Sequence, residues 1–187
     1  NVREKLEQAR HAGQEFHRNV AALTAALPAD LEPGDIDARL GAPWIPTADY
    51  EAFFKSLVVG EYSWATARVE REPGTGAWSL HTNLAYGVAL TQTWGTDQRS
   101  AAELMNASLN GQLATVRKVI DVDGRDVTIT DVAQTAAARE KQGRLEAHFT
   151  EWLWADGERA KRLARLYNDQ FNNYVDRVYD GNKLRLP

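Results

Sequence analysis

Apolar residues return every third or fourth position near both ends of this chain and every second position in a stretch of its middle. That change of period points away from an all-helical or an all-strand fold. Val2, Leu6, Ala9, Gly13, Phe16, Val20, Leu23 and Leu27 are spaced four, three, four, three throughout. The spacing predicts one long amphipathic helix over 1–27, ended by Pro28. Its stripe narrows at Ala9 and Gly13, where another helix can approach closely. A coiled-coil dimer is the competing reading, at the lower limit of length for one. At the other end, Leu163, Tyr167, Phe171, Tyr174 and Val178 share one face of a last helix that Asp180-Gly181 stops. Asn168, Asn172, Asn173 and Asp176 fall between them. Asparagine is a mediocre helix former, so packing or polar contacts must hold that helix.

The middle reads differently. From Ser63 to Glu72 the chain alternates, placing Ala65, Ala67 and Val69 on one face. Pro73-Gly-Thr-Gly76 turns it back into Ala77–His81, a hairpin. Residues 114–122 and 125–129 flank Asp123-Gly124, the dipeptide best suited to a type I′ turn, and predict a second hairpin. Between Pro28 and Pro46 lies a proline-punctuated connector with one or two helical turns at Asp35–Leu40. Trp44 in it either buries its ring in the core or presents it for a base to stack on. Thr47 is expected to cap a helix that buries Phe53, Phe54, Leu57 and Val58 and ends at Gly60. Residues 82–98 read as loop with room for a short strand. Ser100 and Glu103 form a capping box that opens a helix to Asn110-Gly111. Asp131 with Gln134 opens another, expected to reach Trp154 with Leu145, Phe149, Trp152 and Leu153 at its buried end, and Asp156-Gly157 breaks it. The fold class expected is α+β: a small antiparallel sheet of two hairpins covered by helices, with a long N-terminal helix and a C-terminal helical pair. We read 1–187 as one domain, with a mixed part over 28–130, the helical pair over 131–181 and a linker beginning at 182–187.

The 187 residues suffice to bury a core without disulfides, and the chain has no cysteine, which excludes a thiol nucleophile and a cysteine-built zinc site. No apolar run approaches the roughly 20 residues of a membrane span, and the first residues lack a signal-peptide layout. A cytoplasmic protein without membrane partners is therefore expected. With a net charge of −4 the whole chain is not drawn to nucleic acid over long range. The charge is uneven, however: residues 1–60 carry six basic and nine acidic side chains, residues 151–187 seven and six. A phosphate contact would have to come from the C-terminal part.

The run Tyr167-Asn-x-x-Phe171-Asn-x-x-Val175-x-Arg177-x-Tyr179-Asp-Gly181, with Leu184-Arg-Leu-Pro187 behind it, resembles a segment of large bacterial, plasmid and phage proteins. Those proteins fuse an N6-adenine DNA methyltransferase to an SNF2-like, DEAD/DEAH-type helicase. Asp35–Pro46, Trp94-Gly-Thr-Asp-Gln-Arg99, and Phe149-x-x-Trp152 followed by Asp156 and Arg159 fit the same family in the same order. The resemblance implies a module between the two enzymes, an excerpt that runs on into a helicase. It implies flanking methyltransferase and helicase domains as partners. S-adenosylmethionine and ATP with Mg would then be cofactors of the parent polypeptide, and none is expected in this segment.

The residues themselves agree that both active sites lie elsewhere. There is no Pro-Pro pair for the adenine-holding motif and no Gly-Lys pair for a phosphate loop. His11, His17, His81 and His148 are scattered without metal-site spacing, and Asp121, Asp123 and Asp126 lack a calcium ladder, so no catalytic or metal residue is assigned. The candidate nucleic-acid-binding residues are Arg159, Lys161, Arg162 and Arg165. They crowd the first turns of the last helix, the positive end of its dipole, where cations are unfavourable and a gain elsewhere is implied. Two readings stand: a helix laid along the phosphates of double-stranded DNA, and a solvated face partly neutralised by Glu151, Asp156 and Glu158. An independent enzyme is the third reading for the chain as a whole.

Overall fold

A computed structural model describes residues 2–12 and 16–172. The expectations resting on Gly13, Asn173, Tyr174, Asp176, Val178, Asp180-Gly181 and 182–187 lie outside the described residues. Contacts group the chain into two compact units, residues 37–160 and residues 1–36 with 161–187.

The larger unit is α+β with two hairpins, as the alternation at 63–72 and the Asp123-Gly124 turn predict. Its first helix, α3 (Thr47–Val58), buries Tyr50, Phe53, Phe54, Leu57 and Val58. Thr47 is the first helical residue and not the cap. Pro46 stands before it in extended conformation and brings no side-chain acceptor. Strands β1 (Ala67–Arg71) and β2 (Trp78–Thr82) pair antiparallel with Val69 opposite Leu80, and Ala65, Ala67 and Val69 are buried as expected. Helix α4 (Ala101–Leu109) opens on the capping box: Ser100 Oγ accepts from the Glu103 amide at 3.3 Å, and the Ser100 amide donates to Glu103 Oε2 at 2.9 Å. Strands β3 (Arg117–Val122) and β4 (Arg125–Thr130) make the second hairpin around Asp123 and Gly124, both at positive φ. The two hairpins do not join. Each is a separate two-stranded sheet, the first against α3 and α4, the second extending from the base of α5 (Val132–Ala155).

Helix α5 carries the core. Its buried positions Thr135, Ala138, Gln142, Leu145, Phe149 and Leu153 recur every three or four residues. Phe149 meets Phe53 edge-on at 5.0 Å and Tyr50 in a stack at 5.5 Å, while Trp78 meets Tyr50 edge-on at 5.4 Å. Trp44 is buried and stacks on Trp154 at 6.5 Å, which gives it the core role. Burial pushes the pKa of the Tyr50 hydroxyl up, so it stays protonated and donates to Ala42 O at 2.9 Å.

Three stretches depart from the expected elements. At Asp35–Leu40 only Pro33–Asp35 forms a helical turn; beyond it Ile36, Ala38 and Leu40 are buried alternately, which is extended chain. Residues 89–93 make a π-helical turn, closed by the Trp94 amide on Ala89 O at 3.0 Å. Lys141 Nζ donates to the carbonyls of Gln92 and Thr93 at its end. Gly95 follows where a Cβ would strike the carbonyl of Leu90 and the amide of Ala101, so only glycine fits. Strand β3 begins three residues later than expected, because the backbone at 114 and 116 is held by side chains of α5 and not by a partner strand. The Ala114 amide donates to Gln142 Oε1 at 2.8 Å and the Val116 amide to Thr135 Oγ1 at 3.0 Å.

In the smaller unit the stretch 2–27 is helical in two segments, α1 (Val2–His11) and α2 (His17–Ala25), which pack against each other. Asn168 is buried and grips the connector. Its Oδ1 accepts from the Leu31 amide at 2.8 Å, and its Nδ2 donates to Leu31 O at 3.0 Å. Asn172 Nδ2 donates to Ala29 O at 2.8 Å. Asn168 of the last helix, α6 (Gly157–Gln170), and Asn172 just past its end are thus held by polar contacts, as the composition requires.

Candidate functional site

The four cations singled out by the sequence lie on α6 and are divided between the two units. Arg159 belongs to the larger one. Asp156 accepts from the Arg159 amide at 2.7 Å and so caps α6. The Arg159 side chain turns the other way, onto the end of α5: Nε donates to Leu153 O at 3.0 Å and Nη2 to Trp152 O. Its guanidinium lies 3.6 Å from the centroid of the Trp152 ring. The last turn of α5 has no basic residue of its own, so Arg159 supplies the cation that the negative end of that helix favours. This is the gain that offsets placing a charge at the wrong end of α6, and it directs this guanidinium to carbonyls and a ring.

In the smaller unit Arg165 is exposed. Its Nε stands 2.9 Å from Asp169 Oδ2, one helical turn on, and its Nη1 3.9 Å from Asp30 Oδ2. Arg3 pairs with the same two carboxylates, so Arg165 sits in a network of alternating charge. Lys161 and Arg162 are exposed on α6.

A groove of about 700 Å³ in the larger unit is lined by Arg39, Ser108, Gln112, Gln142, Glu146 and Thr150. The spacing of apolar residues gave no hint of it. Ser108 Oγ donates to Glu146 Oε1 at 2.6 Å. Gln142 Nε2 donates to Ser108 Oγ at 3.0 Å and to Gln112 O at 2.7 Å. The serine hydroxyl thus donates a hydrogen bond to a carboxylate and accepts one from an amide, and the glutamine donates to Gln112 O while accepting from the Ala114 amide. These groups hold α4, α5 and the 112–114 backbone in register. Thr135 and Gln142 were findable: they occupy buried-face positions of a periodic helix, where a polar residue signals a bonded network.

Arg99 has a similar part, donating from Nε and Nη2 to Thr115 O at 3.2 and 2.9 Å and from Nη1 to Glu103 at 3.0 Å. Among the described residues no group of three His, Cys, Asp or Glu is placed to hold a metal ion, and no helix is long and apolar enough to cross a membrane.

Compared with known proteins, the chain matches neither a curated protein nor a solved structure. One family model, described as a domain of unknown function (DUF8437), matches residues 39–173.

Proposed function

This chain belongs to the DUF8437 family, whose function is unknown; on the sequence resemblance described above, we propose that it is a non-catalytic module of a larger DNA-modifying polypeptide, orienting an N6-adenine methyltransferase and a helicase. The observation that carries the reading is Arg159. Its side chain satisfies the end of α5 while its amide and Asp156 start α6, so the polar groups at this turn are used to close helix ends. A non-catalytic module is expected to spend such groups on its own backbone in this way. Arg99 on Thr115 O and Gln142 on Ala114 support the same reading, since polar groups there serve the backbone.

The longer polypeptide that includes this chain provides the test. Methyl transfer to adenine and ATP hydrolysis are expected of it, with S-adenosylmethionine and ATP with Mg bound outside these residues, and neither activity is expected of the 187 residues alone. Turnover by the isolated chain, or a longer polypeptide with neither activity, overturns the proposal.

A second reading adds contact with duplex DNA, and the exposure of Lys161, Arg162 and Arg165 on one helix favours it. Each phosphate contact would steepen the salt dependence of affinity by about 0.9 in the log–log slope. Arg162→Glu with Arg165→Glu should then abolish binding of labelled duplex by the chain at low salt. Binding that the double variant leaves unchanged rules this reading out.

A further inference from the structure

The hairpin of β3 and β4 carries more apolar and charged surface than its own fold uses. Val119 is 60% exposed, Val122 44% and Val127 40%, although an isolated two-stranded ribbon is marginal in water. Arg117, Val119 and Asp121 share one face with Thr130, Thr128 and Asp126, their partners in register. Asp121 and Asp126 therefore stand directly opposite each other, and like charges so placed are destabilising. The described ion pair of the hairpin joins Lys118 to Asp131, at its base.

The turn fixes what the outer edge of β3 presents. Asp123 and Gly124 have φ of 53° and 75°, the two-residue turn that makes Val122 and Arg125 a hydrogen-bonded pair. Alternation along an antiparallel ladder then turns the backbone N–H and C=O groups of Arg117, Val119 and Asp121 outward. Among the described residues no strand pairs with that edge.

We propose that this edge is a dimer interface, in which the β3 strands of two copies pair antiparallel about a two-fold axis at Val119 to make one four-stranded sheet. A two-fold axis perpendicular to the sheet brings together residues on the same face. With Val119 at the centre, Arg117 falls opposite the partner's Asp121, and Asp121 opposite the partner's Arg117. The same three residues own the outward backbone groups, so hydrogen-bond pattern and charge pattern select one register. Each Asp121–Asp126 repulsion gains a cation beside it, and Val119 gains an apolar neighbour. A second copy is the occupant that satisfies all of this, because the edge is complementary to itself. The inference is independent of any DNA-related function.

Sedimentation velocity on the 187-residue chain at rising micromolar concentration tests it. A concentration-dependent dimer is expected. Arg117→Asp or Asp121→Arg alone should weaken it about tenfold, since each places like charges opposite in both symmetric pairs. The two substitutions together should restore it. Amide exchange at Val119 should slow as concentration rises, a readout that needs no variant. A monomer throughout the range, a dimer indifferent to either single substitution, a double variant no better than the singles, or Val119 exchange that ignores concentration overturns the proposal.

Discussion

Arg159 shows how a single side chain can look like a ligand-binding group and serve as a helix end. Its guanidinium satisfies two carbonyls of α5 and covers the Trp152 ring. Replacing it with alanine should destabilise the larger unit by about 1–3 kcal/mol, measured by denaturant unfolding followed through tryptophan emission. Arg159→Lys should recover little of that, because an ammonium lacks the planar fork that reaches two acceptors while lying on a ring. Asp131 is a residue whose protonation matters. The Gln134 amide first, and Lys118 second, hold its carboxyl below the ordinary carboxylate value. With the folded value depressed below the unfolded one, its contribution is present above the unfolded carboxylate range and is lost as pH falls through the folded value. Asp131→Asn keeps a capping oxygen but does not titrate. Its stability should therefore fall less than that of the unaltered chain on acidification from neutral pH to below the carboxylate range, as measured by thermal melts.

At the level of elements, α5 organises the larger unit through both kinds of side chain on its buried face. Leu145, Phe149 and Leu153 pack, while Thr135 and Gln142 supply the hydrogen bonds that residues 114–116 would otherwise seek in a strand. Gln142→Leu keeps the volume roughly constant but strands the Ala114 amide and the Gln112 carbonyl. It should cost about 2–4 kcal/mol in denaturant unfolding. The π-helical turn depends in the same way on a neighbour, with Lys141 closing its carbonyls and Gly95 giving the chain room to turn under Leu90. Gly95→Ala should be among the most damaging single substitutions, because backbone and not a flexible side chain occupies the space a Cβ needs. Loss of soluble, cooperatively melting protein is the expected result.

For the molecule as a whole, the aromatic core is supplied within residues 37–160, which also contain every tryptophan of the chain. A chain cut to residues 37–160 should keep the tryptophan emission maximum of the full chain and melt cooperatively; emission like that of free tryptophan would show that this unit does not fold by itself. The α+β class, both hairpins, the capping box, the Asp131 start and the break at Asp156-Gly157 were legible in the sequence. Each depends on residues a few positions apart, and local sterics and hydrogen-bond chemistry act over that range. The π-turn, the extended run after Asp35, the separation of the hairpins and the late start of β3 were not. There a distant side chain or the demand for burial outweighs local preference. The same divide runs through the candidate site. The sequence showed four cations crowded where a helix dipole disfavours them, but only the fold placed Arg159 against the carbonyl end of a different helix, because that neighbour is set by packing in three dimensions and not by spacing along the chain.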